Sequence, residues 1–305
     1  MDPLSHVLVG AAVAKSFRAP RAHFWALALI AEWPDLDVFF PLLGFGSLPF
    51  VHRSWTHSIS MSAPVALATW GLLERWRPWH PAKSAAAYVL AAWSHVLFDW
   101  MTSYGTPLLW PFYSGHFSLD WLSNLSLGPL FIVGMGLAVS RYANSHRVRI
   151  MSFTWLALAI FLEASSLLQA QAAKLLEGNG VVHALPDAIN PLEWRLIAED
   201  LPLRRYRLYV GWPLSHRLMS AGVYDMPSDS SWVRGSLADP QVRTFLKSNR
   251  WPLARAIIRP HGVSVEWGNL LFFWGGRVRG KLVVDMDTQA RVVSTRRVFE
   301  PWDPT

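Results

Sequence analysis

Residues 94–112 read SHVLFDWMTSYGTPLLWPF, and the fold turns on how the first six are taken. They continue an apolar run, about 84–102, whose length and composition predict a helix. His95 and Asp99 are four residues apart, so on that helix they share one face and can grip one cation together. Ionisable groups in hydrocarbon-like surroundings are costly and are usually kept for function. Three other short clusters repeat the signature: His6 in PLSH, Asp35 and Asp37 in WPDLD, and His52 and His57 in HRSWTHS. Alone, a His and an Asp at this spacing describe a hydrogen-bonded pair as well as a ligand pair. Four clusters together favour a metal site. The chain has no cysteine, so any cation must be held by nitrogen and oxygen ligands, as zinc accepts.

Working outward, 52% of the 305 residues are hydrophobic and only 16% are charged, which predicts several membrane spans and a water-soluble part. Apolar stretches run over about 4–17, 22–45, 58–73, 84–102, 123–140 and 150–170, the second interrupted by Pro34 and Pro41. The expectation is a mostly α, polytopic membrane helical bundle of five or six helices over residues 1–175. A small extramembrane α+β domain follows over 176–305. In that domain NPLEWRLIAED and DPQVRTFLKSNRWPLARAII look like short helices. RRYRLYVGW, KLVVDMD and ARVVSTRRVF alternate like strands, with Asp287–Gln289 as a hairpin turn.

Charge gives an expected sidedness. Basic residues follow the first, third and fifth segments, while 44–57 holds only Arg53 and 103–122 has none. The positive-inside rule then places the basic loops in the cytoplasm, and the four clusters with the C-terminal domain on the outer side of a multi-pass protein. The formal charge of +7 is scattered and no nucleic-acid motif is present, so the partner expected is membrane lipid rather than nucleic acid. Trp110, Trp121 and Tyr104 suit an interfacial aromatic belt. The N-terminus lacks the order of a removable signal peptide, so no cleaved leader is expected.

Asp35 and Asp37 cannot share a helix face, but after Pro34 the chain can leave helical geometry and aim both at one cavity. The competing reading for one of them is a helix N-cap. His57 adjoins an apolar run and reads as a ligand, whereas His52 reads as a solvated loop residue. Arg53 is either a headgroup anchor or a clamp for an anionic substrate, since its fork of donors fits phosphate. His116 and Asp120 repeat the four-residue spacing, but their Pro, Gly and Ser neighbours favour a polar loop.

PLSHVLVG, the PDLD element, HRSWTHS and SHVLFDWMTSYGTPLLWPF, in that order, resemble the bacterial membrane-bound metal-dependent hydrolases of the YdjM/YbcI-like group. The resemblance is strong over about residues 1–135, and the INPLEWR tail is similar to the extension of longer members. That group is remotely similar to zinc-dependent phospholipase C and P1-type nucleases. The resemblance implies an inner-membrane protein with a divalent metal, zinc foremost, bound by His6, Asp35 or Asp37, His57, His95 and Asp99. It implies that Asp99 bridges two metals, that His57 and His95 complete one site, and that His6 serves the second. Gly128 stands where family members carry an Asp before Pro, so that carboxylate is missing here.

The function expected is hydrolysis of a phosphoester at the membrane surface by metal-activated water. Asp35 or Asp37 would act as ligand or general base, with Arg53 on an anionic lipid or other phosphoester substrate. The alternative is a non-catalytic ion- or proton-conducting membrane protein that uses the same His and Asp groups as a relay.

Overall fold

A computed structural model describes residues 2–43, 53–143, 146–178, 180–187 and 189–302, so His52 lies outside the described residues. The chain divides into two units, one of residues 1–169 with 185–191 and one of residues 170–184 with 192–305.

The first unit is helical. α1 (Pro3–Ser16) starts where Asp2 caps it: the carboxylate accepts the Ser5 N–H at 3.0 Å, and Pro3 occupies the first turn, where its missing N–H costs nothing. α2 (Arg21–Ile30) packs against α1 through Gly10, where a Cβ would lie 2.5 Å from the Leu27 carbonyl oxygen and 2.7 Å from the Ala31 Cβ. Only a residue without a side chain permits that approach. α3 (Ile59–Trp76) and α4 (Pro81–Trp100) add Ala66, Ala87, Ala91 and Ala92 to the same core, around Leu27 and Tyr88. Such small residues let helices come close, and this proximity later brings His6 of α1 onto His95 of α4. α5 (Leu127–Tyr142) and α6 (Arg147–Lys174) close a second cluster with Val9, Ala12, Phe98, Val133, Met151 and Leu158.

The polytopic membrane bundle expected from the apolar runs is not what the chain forms. Among the described residues one helix, α6, is both long and apolar enough to cross a membrane. α3 and α4 reach 18 and 20 residues, but Glu74, His95, Asp99 and several serines lower their apolarity. α1 and α5 have 14 and 16 residues, short of the roughly 20 that a span needs. The run 22–45 breaks into α2 and a 3-10 helix, Trp33–Leu43. Pro34 has no N–H to donate and disfavours α geometry in the residue before it. The multi-pass arrangement, and the sidedness threaded through its spans, go with this correction. α6 itself has only 22% of its apolar window buried, with Phe153, Leu156, Ile160 and Leu167 exposed, unlike the core helix of a soluble domain.

The second unit is built on two antiparallel sheets. The first has order β1 (Val181–Pro186), β2 (Trp194–Asp200), β3 (Arg205–Trp212), β4 (Arg217–Asp225). The second has order β5 (Pro252–Arg259), β6 (Gly262–Asn269), β8 (Arg277–Met286), β7 (Phe273–Trp274), with β9 (Val292–Pro301) also on β8. Two short helices, α7 (Ser231–Ser236) and α8 (Pro240–Ser248), accompany them; Val233 and Val242 pack with Val263, Val265, Trp267 and Val284. NPLEWRLIAED, expected as a helix, is strand β2, paired with β3 from Trp194↔Gly211 to Asp200↔Arg205. Cross-strand pairing and burial of Trp194, Leu196 and Ala198 decide there, not local propensity. The second expected helix stops at Ser248, and PLARAII is strand β5. The hairpin at Asp287 is present: its carboxylate accepts the N–H groups of Gln289 and Arg291 at 2.8 and 2.9 Å.

Candidate metal centre

Four residues from three separate stretches meet in the first unit. Asp35 lies two residues into the 3-10 helix that Pro34 enforces, its N–H donated to the Glu32 carbonyl. His57 ends a one-turn 3-10 helix, Trp55–His57, after which the Ser58 hydroxyl caps α3 by accepting the Met61 N–H. His95 and Asp99 occupy the last turns of α4, one above the other. One ligand atom from each of Asp35, His57, His95 and Asp99 lies within 4.8 Å of every other.

The separations have the scale of a coordination shell. His57 Nε2 is 3.0 Å from Asp35 Oδ1 and 3.5 Å from Asp99 Oδ2; His95 Nε2 is 3.6 Å from each of the same two oxygens. A cation bonded at about 2.0–2.2 Å to four tetrahedral ligands sets neighbouring ligand atoms about 3.3–3.6 Å apart. His95 Nε2 is buried and has no hydrogen-bond partner among the described residues. Such an orphan is expensive unless something else satisfies it. A divalent cation fits this donor set.

The surroundings orient the ligands. His95 Nδ1 donates to the Ala31 carbonyl at 2.8 Å, which leaves Nε2 as the lone-pair nitrogen. Thr56 Oγ1 donates to Asp37 Oδ2 at 2.6 Å, so its contact with His57 Nδ1 at 2.9 Å has the imidazole as donor. Asp37 Oδ2 is itself 3.4 Å from His57 Nδ1. The two aspartates therefore bracket one imidazole: Asp35 faces Nε2, whereas Asp37, fully buried, faces Nδ1 and stands one layer behind.

Arg53 adopts a left-handed backbone conformation, φ 53°, that an arginine rarely takes. Its Nη2 donates to Asp99 Oδ1 at 3.0 Å and its Nη1 to Thr102 Oγ1 at 3.2 Å, while the guanidinium lies over the Tyr104 ring at 4.7 Å. His6 stacks on His95 with ring centroids 3.7 Å apart, and its Nε2 is 3.4 Å from Asp99 Oδ1. Both His6 ring nitrogens are buried without a hydrogen-bond partner among the described residues. His6 thus lies on the far oxygen of Asp99 from the four-residue set. Asp120 accepts from Ser118 in the 103–122 loop, and the metal-competent set includes neither it nor His116. At Gly128 a Cβ would lie 2.3 Å from the Phe161 ring, so the set forms without a carboxylate there.

Sequence reasoning missed Thr56, Thr102 and Glu32, and read Tyr104 as part of an aromatic belt although its ring lies under Arg53. Burial pushes the Glu32 carboxyl up to about 8, reinforced by the charges of Asp35 and Asp99. Its adjacency to WPDLD was the available signal; Thr56, beside His57, offered the same.

Burial lowers the proton affinity of His57, but hydrogen bonds to Asp35 and Asp37 outweigh it and hold the group above its ordinary 6.5. Burial raises Asp35, and the imidazoles of His57 and His95 that face it more than reverse this, leaving it below its ordinary 3.8. The sign follows. The raised His57 stabilises the metal-free protein fully below pH 6.5, and this is lost as pH rises through its folded value. The lowered Asp35 contributes above pH 3.8, lost as pH falls through its folded value. A cation must displace the His57 proton, so metal affinity is expected to rise with pH above 6.5, with proton release on binding. Calorimetry in two buffers of different ionisation enthalpy checks this; binding without proton release at pH 6.5 would contradict it.

A buried His/Asp cluster that can hold a metal, in a helical unit with one candidate span among its described residues, defines the class: a membrane-associated protein with a candidate metal centre. The family model described as YdjM inner membrane protein matches residues 1–172, and the chain belongs to that family. No curated protein and no solved structure matches the chain. The match ends before the two sheets of the second unit.

Proposed function

We propose that this chain is a membrane-bound hydrolase that uses a divalent cation, zinc foremost, to cleave a phosphoester reached at the membrane surface. The observation that carries the reading is the convergence of two carboxylates and two imidazoles within 4.8 Å around a buried, unsatisfied His95 Nε2. The remote resemblance of the motif order to phospholipase C and P1-type nucleases supplies the substrate class. When bound, the cation supplies a Lewis acid that polarises a phosphoryl oxygen and makes water a nucleophile near neutral pH.

The chain's own residues then have distinct tasks. Asp35, with 13% of its side chain exposed, is the member of the set open to solvent, and is the better placed of the two aspartates to accept a proton from water. Asp37 holds the His57 ring, and Arg53 holds Asp99 in place. A proton relay is less well supported, because a relay needs an unbroken line of hydrogen bonds and the ring nitrogens of His6 interrupt it.

The test incubates zinc-loaded protein in phosphatidylethanolamine–phosphatidylglycerol vesicles, and separately with a soluble phosphodiester. Turnover of at least one is expected, and none by Asp99→Ala. Equal rates for the two proteins on both substrates would end the hydrolase reading.

A further inference from the structure

α6 and α5 flank, with the 121–128 segment and with Pro186, Asp187, Ile189 and Pro191 of the same unit, an open cavity of about 290 Å³ that the metal centre does not use. Trp121, Phe131, Phe161, Ile189 and Pro191 make its apolar walls. Gly128 makes it possible, because the Phe161 ring comes within 2.3 Å of where a Cβ would stand.

The polar groups at the rim are turned to their own loops. Ser123 Oγ donates to the Leu125 carbonyl at 2.8 Å and Ser126 Oγ to the Ser123 carbonyl at 2.9 Å. Asp187 accepts the N–H groups of Ile189 and Asn190 at 2.8 and 3.1 Å. A polar ligand would lose its hydrogen bonds to water and find both serine hydroxyl protons already donated, with little beyond the rim carboxylate of Asp187 to replace them. An apolar one loses nothing.

Two further observations name the occupant. Phe161 and Ser165 belong to α6, the helix apolar enough to cross a membrane, so the surrounding medium that can fill the cavity is lipid hydrocarbon. The volume is at the small end of ligand sites, about 300–1,000 Å³, which suits a segment of one chain and not a headgroup as well. Within a bilayer the gain comes from close packing where a void would otherwise lack contacts.

We propose that this cavity is a binding site for one acyl chain of a membrane phospholipid. It goes beyond the hydrolase reading and stands without it. The wall is nonetheless tied to the metal-bearing helix: the N–H groups of Trp121 and Leu122 donate to the carbonyl of Met101, the residue that follows α4.

The test reconstitutes the full chain in phosphatidylethanolamine–phosphatidylglycerol vesicles with a trace of phosphatidylcholine whose acyl chain ends in a diazirine. After illumination, crosslinks mapped by mass spectrometry should concentrate several-fold on the half-buried Trp121 and Phe161 over Phe153, Leu156 and Ile160 on the exposed face of α6. Ser165→Trp, which fills the cavity, and Ile189→Trp, which closes its exposed rim, should each remove that excess. An even spread over α6, or an excess unchanged in both variants, overturns the site. Zinc binding measured on the same preparation separates the two readings. Zinc bound without cavity labelling removes the acyl site alone, and cavity labelling without zinc supports it while removing the metal centre.

Discussion

His95→Ala is expected to reduce the affinity of the purified protein for zinc by at least about 100-fold, above the 10–100-fold typical of losing a residue that only orients a ligand. The imidazole supplies the one buried nitrogen of the four-residue set that lacks a hydrogen-bond partner among the described residues. Alanine leaves a space where the His6 ring now stacks at 3.7 Å, but it adds no charge and breaks no helix hydrogen bond of α4. The comparison variant is Asp37→Asn, which keeps the size of the group that Thr56 bonds and removes the charge facing His57 Nδ1. That change should cost about 10–100-fold, because it loosens and weakens a ligand without deleting one. Zinc titration against a competing chelator reads both. Equal affinity in wild type and His95→Ala would mean that the cluster is a hydrogen-bonded core and not a metal site. A larger loss in Asp37→Asn than in His95→Ala would exchange their roles.

Arg53→Met should destabilise the chelator-treated protein by about 3–5 kcal/mol, the scale for stripping one partner from a buried ion pair. Arg53 and Asp99 have side chains 7% and 0% exposed, so solvent screens the remaining carboxylate little. Methionine approximates the length of the arginine stem and carries no charge, which separates electrostatics from packing. Zinc should return most of the lost stability, because a cation beside Asp99 replaces the positive charge that Arg53 supplied. Arg53→Lys should fall between, since an ammonium keeps the charge but not the two-pronged bond to Asp99 and Thr102. Denaturation followed by circular dichroism in detergent, with chelator and with zinc, checks all three. If Arg53→Met melts like wild type in chelator, Asp99 is not held as a buried anion.

The members of the buried His/Asp cluster were legible in the sequence, because polar residues in apolar runs need no partner to be conspicuous. His95 and Asp99 could even be placed on one face from spacing alone. What Asp37 does was not legible: that it lies behind His57 depends on the turn of a 3-10 helix and on Thr56 between them. Arg53 read as a clamp for substrate, and its engagement with Asp99 required the chain to cross from one stretch to another. The span count failed for a related reason. An apolar run reports how much surface seeks burial, but not whether lipid or the chain's own helices bury it; Gly10 and the alanines around Tyr88 buried much of it inside the first unit. In the second unit, β8, β9 and their hairpin followed from alternation and turn chemistry, which are local. β2 did not, because Trp194, Leu196 and Ala198 become a strand only once β3 is beside them. By itself the sequence determined which ionisable residues stand in apolar surroundings; tertiary structure decided which of them meet, because contact between stretches depends on close approach of helices and pairing of strands that no local pattern encodes.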